Sequence, residues 1–221
     1  MDSETAHPPT DDPRDSLDLL DYRRRVQENY RSAREGGPGK EPWLAWRRAR
    51  DELFASHPQT ALEPADRQTF AGLPYFSYDL AWRFEVVVES VEAQSVAIAR
   101  SGQGHTGFRR FGRIRLTIGG TEVSLTLYRL DAYGDGVFLR FRDATSGQET
   151  YWGGRYLLDT AKGADLGHTN NSMVVDFKYA YHPSCVHSSR WSCPLAPQEN
   201  RLTVPIEAGE RLARSGLPWT P

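Results

Sequence analysis

The sequence has few cysteines, no long hydrophobic run and no excess of one charge. Only two of its 221 residues are cysteine, which excludes a disulfide-rich scaffold. It contains no run of about 18 apolar residues, so it predicts no membrane-spanning helix. The formal net charge is -2, which provides neither a basic field for nucleic acid nor an acidic tail. We therefore expect no nucleic-acid partner and no membrane partner.

The first 16 residues are rich in proline, aspartate, serine and threonine, a composition typical of disordered segments. They also lack the charged start and apolar core of a secretory signal. We expect a disordered leader over residues 1–16, a single domain over residues 17–215, and a cytoplasmic protein whose thiols stay reduced. No feature of the sequence specifies an oligomeric state.

Two helical patterns precede the rest of the domain. A helix is predicted from Ser16, a suitable N-cap, to about Glu35, because apolar residues recur there at helical spacing and a Gly- and Pro-rich run follows. A second helix is predicted from Trp43 to Ser56, which carries a stripe of aromatic and aliphatic residues. Both helices therefore precede the β-rich part of the chain.

From Arg83 onward, apolar and polar residues alternate, as in half-buried antiparallel strands. Gly119-Gly120 predicts a tight hairpin between two of these strands. Short strands separated by Gly-rich turns indicate a mainly β (α+β) protein, an antiparallel β-barrel or barrel-like sandwich with two N-terminal helices. The predicted strands are 83–91, 113–118, 122–128, 137–142, 150–158, 172–177 and 202–206.

The densest reactive chemistry lies in residues 176–201. Cys185 and Cys193 can be buried structural thiols, a short-loop disulfide, a thiol nucleophile with a histidine base, or zinc ligands. Two imidazoles and two thiolates are the ligand types of a tetrahedral zinc site, although the spacing His-x2-Cys-x-His-x5-Cys is not a standard zinc signature. No other cofactor is predicted. The candidate metal ligands are His182, Cys185, His187 and Cys193.

A second notable segment is 151–156, in which two glycines interrupt a strand pattern. This indicates a bulge, or backbone pressed against a neighbour. Arg155 can point into a barrel mouth and bind a carboxylate or phosphate. The alternative, which we favour, is an ion pair between Arg155 and an acid such as Asp143 or Glu149.

Several runs of the chain resemble the domain-of-unknown-function 1684 family, which is bacterial and archaeal. These runs are FRDATSGQETYWGGRYL (141–157), DF-x-x-AY-x-P-x-C (176–185), CPLAP-x-EN-R-L (193–202) and I-x-AGE (206–210). HPQTAL and FAGLPYFSYDLAWR upstream are similar to the family's entry segment, so the resemblance covers most of residues 43–210. The resemblance implies that these residues form one structural unit. It implies no activity, because none is established for the family.

The family motif falls on twelve residues of this sequence. The chain departs from it at Trp152, where glycine is common, and at Lys178 and His182, where asparagine is common. The departure at His182 weakens the four-ligand metal site as a family property, whereas the two cysteines match. The twelve motif residues are Gly153, Gly154, Arg155, Tyr156, Asp176, Tyr181, Pro183, Cys185, Cys193, Pro194, Pro197 and Asn200.

Three functions follow as hypotheses. The leading one is a small-molecule-binding barrel, because small barrels enclose a ligand-sized cavity. The second is a metal-assisted or thiol-based enzyme that uses the His/Cys cluster at 182–193, and the third is a structural or interaction protein. In the leading hypothesis the small-molecule ligand is held by Arg155, Tyr156, Asp176, Tyr181 and Asn200.

Overall fold

The computed structural model of the chain describes residues 12–213. The helices come first: α1 (Pro13–Gly36), α2 (Lys40–Ser56) and the short α3 (Pro64–Arg67). Helix α1 starts earlier than predicted, because the Asp12 carboxylate caps Arg14 N at 2.9 Å and Pro13 occupies the first turn. Residues 13–16 of the predicted leader are thus helical. Residues 1–11 of that leader, and residues 214 and 215 of the predicted domain, lie outside the described residues.

The strands of the described residues form two antiparallel sheets. The larger has the order β2-β3-β4-β5-β6 and the smaller the order β1-β8-β7. The prediction of a mainly β protein with two long N-terminal helices is therefore confirmed. The strands are β1 (Arg83–Val87), β2 (Glu89–Ala99), β3 (His105–Ile118), β4 (Thr121–Leu130), β5 (Val137–Phe141), β6 (Arg155–Asp159), β7 (His168–Thr169) and β8 (Ser172–Asp176).

The strand predictions are confirmed in the middle of the chain and wrong at three places, 83–91, 150–154 and 202–206. Gly119 and Gly120 join β3 to β4 with φ of 53° and 82°, so the predicted hairpin is present. The single strand predicted at 83–91 is instead divided between the two sheets. Residues 202–206 form no strand, because their backbone bonds go in turn to Arg142, Ala144 and the Asp143 carboxylate.

The main core lies between the two sheets. It joins Val86 and Val175 of the small sheet to Leu125 and Phe141 of the large sheet, and it also includes Ile206 from the C-terminal segment. The larger sheet does not close on itself within residues 12–213, since β2 and β6 end the ladder. No closed barrel is therefore found in this part of the chain.

The two long helices pack outside the sheets and bring aromatic residues to the C-terminal segment. Trp46 of α2 meets Tyr30 of α1 and Tyr179, with ring centroids 5.7 and 4.8 Å apart. Trp43 Nε1 donates to the carbonyl of Lys178 at 3.0 Å. Helix α2 is thereby fixed against residues 178–181. None of the helices in the described part of the chain has both the length and the apolar composition needed to cross a bilayer.

Candidate functional site

A cleft of about 490 Å³ opens between the segment that follows α2 and the C-terminal segment. Its lining is mainly apolar. The polar residues that line it are Thr150, Tyr151, His182, His187, Glu210 and Arg211. The apolar wall is formed by Leu62, Phe70, Leu73, Trp152, Val186 and Leu212.

Glu210 is the centre of the polar part and is only 1% exposed. Its Oε2 accepts hydrogen bonds from Arg50 Nη2 at 2.7 Å and from His182 N at 3.1 Å. Its Oε1 lies 3.4 Å from His182 Nδ1 and 3.5 Å from His187 Nε2. Burial alone would raise the pKa of Glu210, but Arg50 and the histidines outweigh burial and hold this pKa well below its usual range. Glu210 is therefore a carboxylate.

The two histidines beside Glu210 differ in their hydrogen bonding. His182 Nε2 accepts the Tyr151 N–H at 3.2 Å, so its proton lies on Nδ1, facing Glu210. Burial lowers the pKa of His182 and Glu210 only partly opposes this, so the ring is neutral near pH 7. His187 packs edge-on against Phe54, and its buried Nε2 makes no hydrogen bond within residues 12–213. Its nearest charged neighbour is Glu210 Oε1, at 3.5 Å.

The predicted ligand anchor Arg155 lies in the interior and not in the cleft. It is fully buried and pairs with Asp143 at 2.9 Å, which confirms the ion-pair alternative. Its guanidinium also donates to the carbonyls of Ile206, Ala208 and Glu210. Arg155 thus fixes the segment that carries Glu210.

Asp176 and Asn200 are likewise occupied by other parts of the protein. Asp176 pairs with Lys178 at 2.8 Å and lies 3.6 Å from Arg83. The Asn200 side chain accepts from Thr126 N and donates to the carbonyls of Thr126 and Arg140. Both residues are buried and hold neighbouring segments together.

Tyr156 and Tyr181 face each other across a backbone pairing, with 2.9 and 3.0 Å hydrogen bonds between their main chains. The Arg50 guanidinium lies 4.9 Å from the Tyr181 ring centroid, and Arg140 Nη1 donates to Tyr156 Oη at 3.0 Å. Neither tyrosine lines the cleft. Direct ligand binding by the five predicted anchors therefore stays a prediction.

The four predicted metal ligands separate into two groups. His182 and His187 both approach Glu210. Cys185 Sγ instead lies 3.8 Å from the Tyr151 hydroxyl, and Cys193 N donates to Ser101 Oγ at 3.0 Å. Within residues 12–213, no three His, Cys, Asp or Glu side chains are placed so that they could hold one metal ion. The geometry therefore lends no support to a zinc site.

Glu210 and Arg50 were not among the residues singled out from the sequence. A weak signal existed for each. Arg50 interrupts the apolar stripe of α2 between Trp46 and Leu53, and Glu210 follows the small residues Ala208 and Gly209. Charged residues in apolar patterns of this kind are often paired partners in the fold.

Comparison with known proteins agrees with the sequence motifs. A family model described as a protein of unknown function (DUF1684) matches residues 68–211. No curated protein matches the chain. The solution NMR structure of an uncharacterized protein from Haloarcula marismortui is similar, with 31% identity, a TM-score of 0.58, and coverage of 80% of this chain and 96% of that one. These matches indicate a shared fold, and they do not reveal an activity.

Proposed function

This chain belongs to the DUF1684 family of proteins of unknown function, and we propose that it binds a small, neutral and mainly apolar molecule in the cleft. The cleft volume of about 490 Å³ falls within the range of small-molecule sites. Apolar walls with a few polar groups at one position are also typical of such sites. The walls bind the body of the ligand, and the polar group fixes its orientation.

The charges around the cleft favour a neutral ligand. Arg50 is paired with Glu210 at 2.7 Å, and Arg211 is paired with Glu149 at 3.2 Å. A charged ligand would have to break one of these pairs or lose its hydration without a counter-ion. A neutral molecule avoids both costs.

The observation that carries the proposal is the state of His187 Nε2. His187 lines the cleft, and its buried Nε2 faces Glu210 Oε1 at 3.5 Å, a distance at which no well-formed hydrogen bond is made. A buried polar nitrogen with no partner at all costs roughly 1–3 kcal/mol, and the long contact with Glu210 offsets only part of this cost. A ligand that carries one donor or acceptor group recovers this energy.

The arrangement is also rigid, as a preformed site requires. Arg155 bonds to three carbonyls of the segment 206–210. The Glu210 carboxylate fixes the main chain of His182. The polar end of the cleft is therefore held from the sheet side and from α2 without a bound ligand.

A fragment titration tests this proposal. A library of neutral aromatic fragments with one hydrogen-bond donor or acceptor is screened by ligand-observed NMR. The best fragment is then titrated into wild type, His187→Phe and His105→Phe. We expect about tenfold weaker binding to His187→Phe, which keeps an aromatic ring at this position but lacks the ring nitrogens. His105 is exposed on β3, outside the cleft lining, so His105→Phe should bind as wild type does.

Two results would contradict the proposal. One is the absence of any fragment that binds saturably to the wild-type protein. The other is equal affinity for all three proteins, which would show that binding occurs away from His187.

A further inference from the structure

A second pocket, which we call the arginine pocket, lies between the end of β2 and residues 195–201. Its volume is about 290 Å³, and Trp152 is the one described residue that it shares with the lining of the cleft. The charged residues of its lining are Arg142 and Arg201, and no acidic residue of the described chain lines it. Its apolar wall is formed by Val96, Ile98, Trp152, Leu195, Ala196 and Pro197. The pocket thus combines an apolar wall with positive charge.

The backbone places the two arginines side by side. Arg142 follows β5, and Arg201 follows the 3-10 turn Gln198–Asn200. Arg142 N donates to the Asn200 carbonyl at 2.9 Å, and Leu202 N donates to the Arg142 carbonyl at 2.8 Å. These bonds make Arg142 and Arg201 direct neighbours in a short parallel pairing. Directly paired residues carry their side chains on the same face, so the two arginines line the pocket together.

Neither arginine is neutralised by an acidic side chain of the described fold. Arg142 is partly buried and Arg201 is exposed, and neither side chain forms an ion pair or a hydrogen bond within residues 12–213. Asp143, which follows Arg142 in the sequence, is buried and pairs instead with Arg155 at 2.9 Å. Like charges on directly paired residues destabilise a pairing. A bound anion would remove this repulsion.

Arg140 adds a third positive charge behind the pocket. It is fully buried, its guanidinium donates to Tyr156 Oη at 3.0 Å, and it forms no ion pair with a carboxylate within residues 12–213. Burial has the largest effect on Arg142 and lowers its pKa; Arg201 and Arg140 lower this pKa further, and Asp143 opposes them. A buried or partly buried guanidinium is stabilised by a nearby anion. The three arginines therefore favour negative charge in the pocket.

We propose that the arginine pocket binds a small organic oxyanion, a carboxylate or a phosphate monoester with a short apolar body, through Arg142 and Arg201. A guanidinium presents its N–H donors in a planar fork that matches the oxygens of a carboxylate or phosphate. The apolar wall, which includes Trp152 and Leu195, packs against the body of the ligand. A volume of about 290 Å³ is at the lower end of small-molecule sites, so the ligand is small.

The charge of the ligand distinguishes this pocket from the cleft. In the cleft, Arg211 is paired with Glu149, and Arg50 beside it is paired with Glu210, so a charged ligand gains no free counter-ion there. In the arginine pocket both arginines are without a carboxylate partner among the described residues. This inference does not depend on whether the cleft binds a neutral molecule.

Calorimetric titration of the full-length protein at constant ionic strength tests the site. Phenyl phosphate, benzoate and the uncharged analogue phenol are titrated into wild type, Arg142→Gln, Arg201→Gln and Arg109→Gln. Arg109 is exposed on β3, lies opposite Arg129 and is outside the pocket lining, so its variant is a control of equal net charge. We expect about tenfold weaker binding of the better anion to each pocket variant, and unchanged binding to Arg109→Gln.

Three results would overturn the proposal: no saturable binding of either anion to wild type, equal loss of affinity in Arg109→Gln, or phenol binding as tightly as the anions. Tighter binding of phenyl phosphate would identify the ligand class as a phosphate monoester, and tighter binding of benzoate would identify it as a carboxylate.

A measurement on the wild type covers the case in which a glutamine variant does not fold. Backbone amide shifts are followed by NMR while phenyl phosphate is added. Saturable shifts at Gly153 and Ala196, which line the arginine pocket, support the proposal. Shifts confined to Leu73 and Val186 would place the anion in the cleft and overturn it, as would the absence of saturable shifts.

Discussion

At the scale of single residues, hydrogen bonding distinguishes side chains that hold the structure from one that can meet a ligand. Arg155 and Asn200 are fully buried, and most of their bonds go to main-chain groups. His187 Nε2 is buried as well, but its contact with Glu210 Oε1 is long, at 3.5 Å, and does not meet the geometry of a hydrogen bond. The polar groups of the first two residues are thus used within the structure, and His187 is the candidate ligand contact.

His182 makes the stability of the protein depend on pH. Burial lowers the pKa of its ring in the folded state, whereas the unfolded chain has the ordinary value of about 6.5. Between these two pKa values the unfolded state binds a proton that the folded state lacks, so stability falls as the pH drops below about 6.5. We expect wild type to lose up to about 1.4 kcal/mol per pH unit more than His182→Gln in this window.

Urea unfolding between about pH 7.5 and pH 5.5 measures this difference. Glutamine is a suitable replacement because its side-chain oxygen can accept the Tyr151 N–H in place of His182 Nε2. If the two proteins lose stability in parallel, protonation of His182 does not cause the acid sensitivity.

The sequence identified part of this site. His182 and His187 lie in a dense polar segment and were selected from it. Arg50 and Glu210 were not selected, because their pairing joins residues 160 positions apart, which local spacing does not reveal. The favoured pairing of Arg155 with Asp143, in contrast, involves residues only 12 apart, and it was anticipated.

At the scale of secondary-structure elements, the turn before β6 sets the end of the larger sheet. The strand was predicted from about residue 150, but β6 begins at Arg155 because residues 151–154 form a turn. Gly154 has φ of 96°, and a Cβ there would lie 2.4 Å from the Phe141 carbonyl oxygen. The glycine therefore permits both the turn and the close approach to β5, as the paired glycines indicated.

Replacing Gly154 should destabilise the protein strongly. We expect Gly154→Ala to lower the free energy of unfolding by about 3 kcal/mol, from the strain of positive φ together with the clash at Phe141. Gly134 is a matched control: its φ is 90°, but no atom lies within 4 Å of the position that an alanine methyl group would occupy there. Gly134→Ala should cost about 1 kcal/mol. Equal costs in chemical denaturation would show that the contact with Phe141 is unimportant.

Elements with a clear apolar pattern were predictable, and those without one were not. Strands β3 and β4 alternate regularly and meet at two glycines, so their hairpin was anticipated. Strand β2 is exposed along most of its length, so it lacks the apolar alternation that marks a strand. Residues 202–206 show the opposite case: Leu202 and Ile206 alternate and are buried, but their backbone joins no sheet.

At the scale of the whole molecule, the cleft is formed by parts of the chain that are distant in sequence. The segment after α2 provides Leu62 and Leu73, and the C-terminal segment provides His187 and Glu210. Helix α2 contributes through Arg50, which lies outside the lining and binds Glu210. The two sheets and α2 bring these parts together. The sequence therefore predicted the class of fold and suggested that the protein binds a ligand. The position of the cleft follows only from how these distant segments pack together.

The most direct test of ligand binding in the cleft is to locate a bound fragment by isotope-filtered NOE measurements on protein with labelled methyl groups. If the cleft is the binding site, the fragment contacts the methyl groups of Leu62, Leu73 and Val186, which line it. Contacts to Leu158 and Met173 instead would place the fragment in a different cavity, beside β7 and β8. That result, or contacts to none of these methyl groups, would contradict the assignment of the cleft as the binding site.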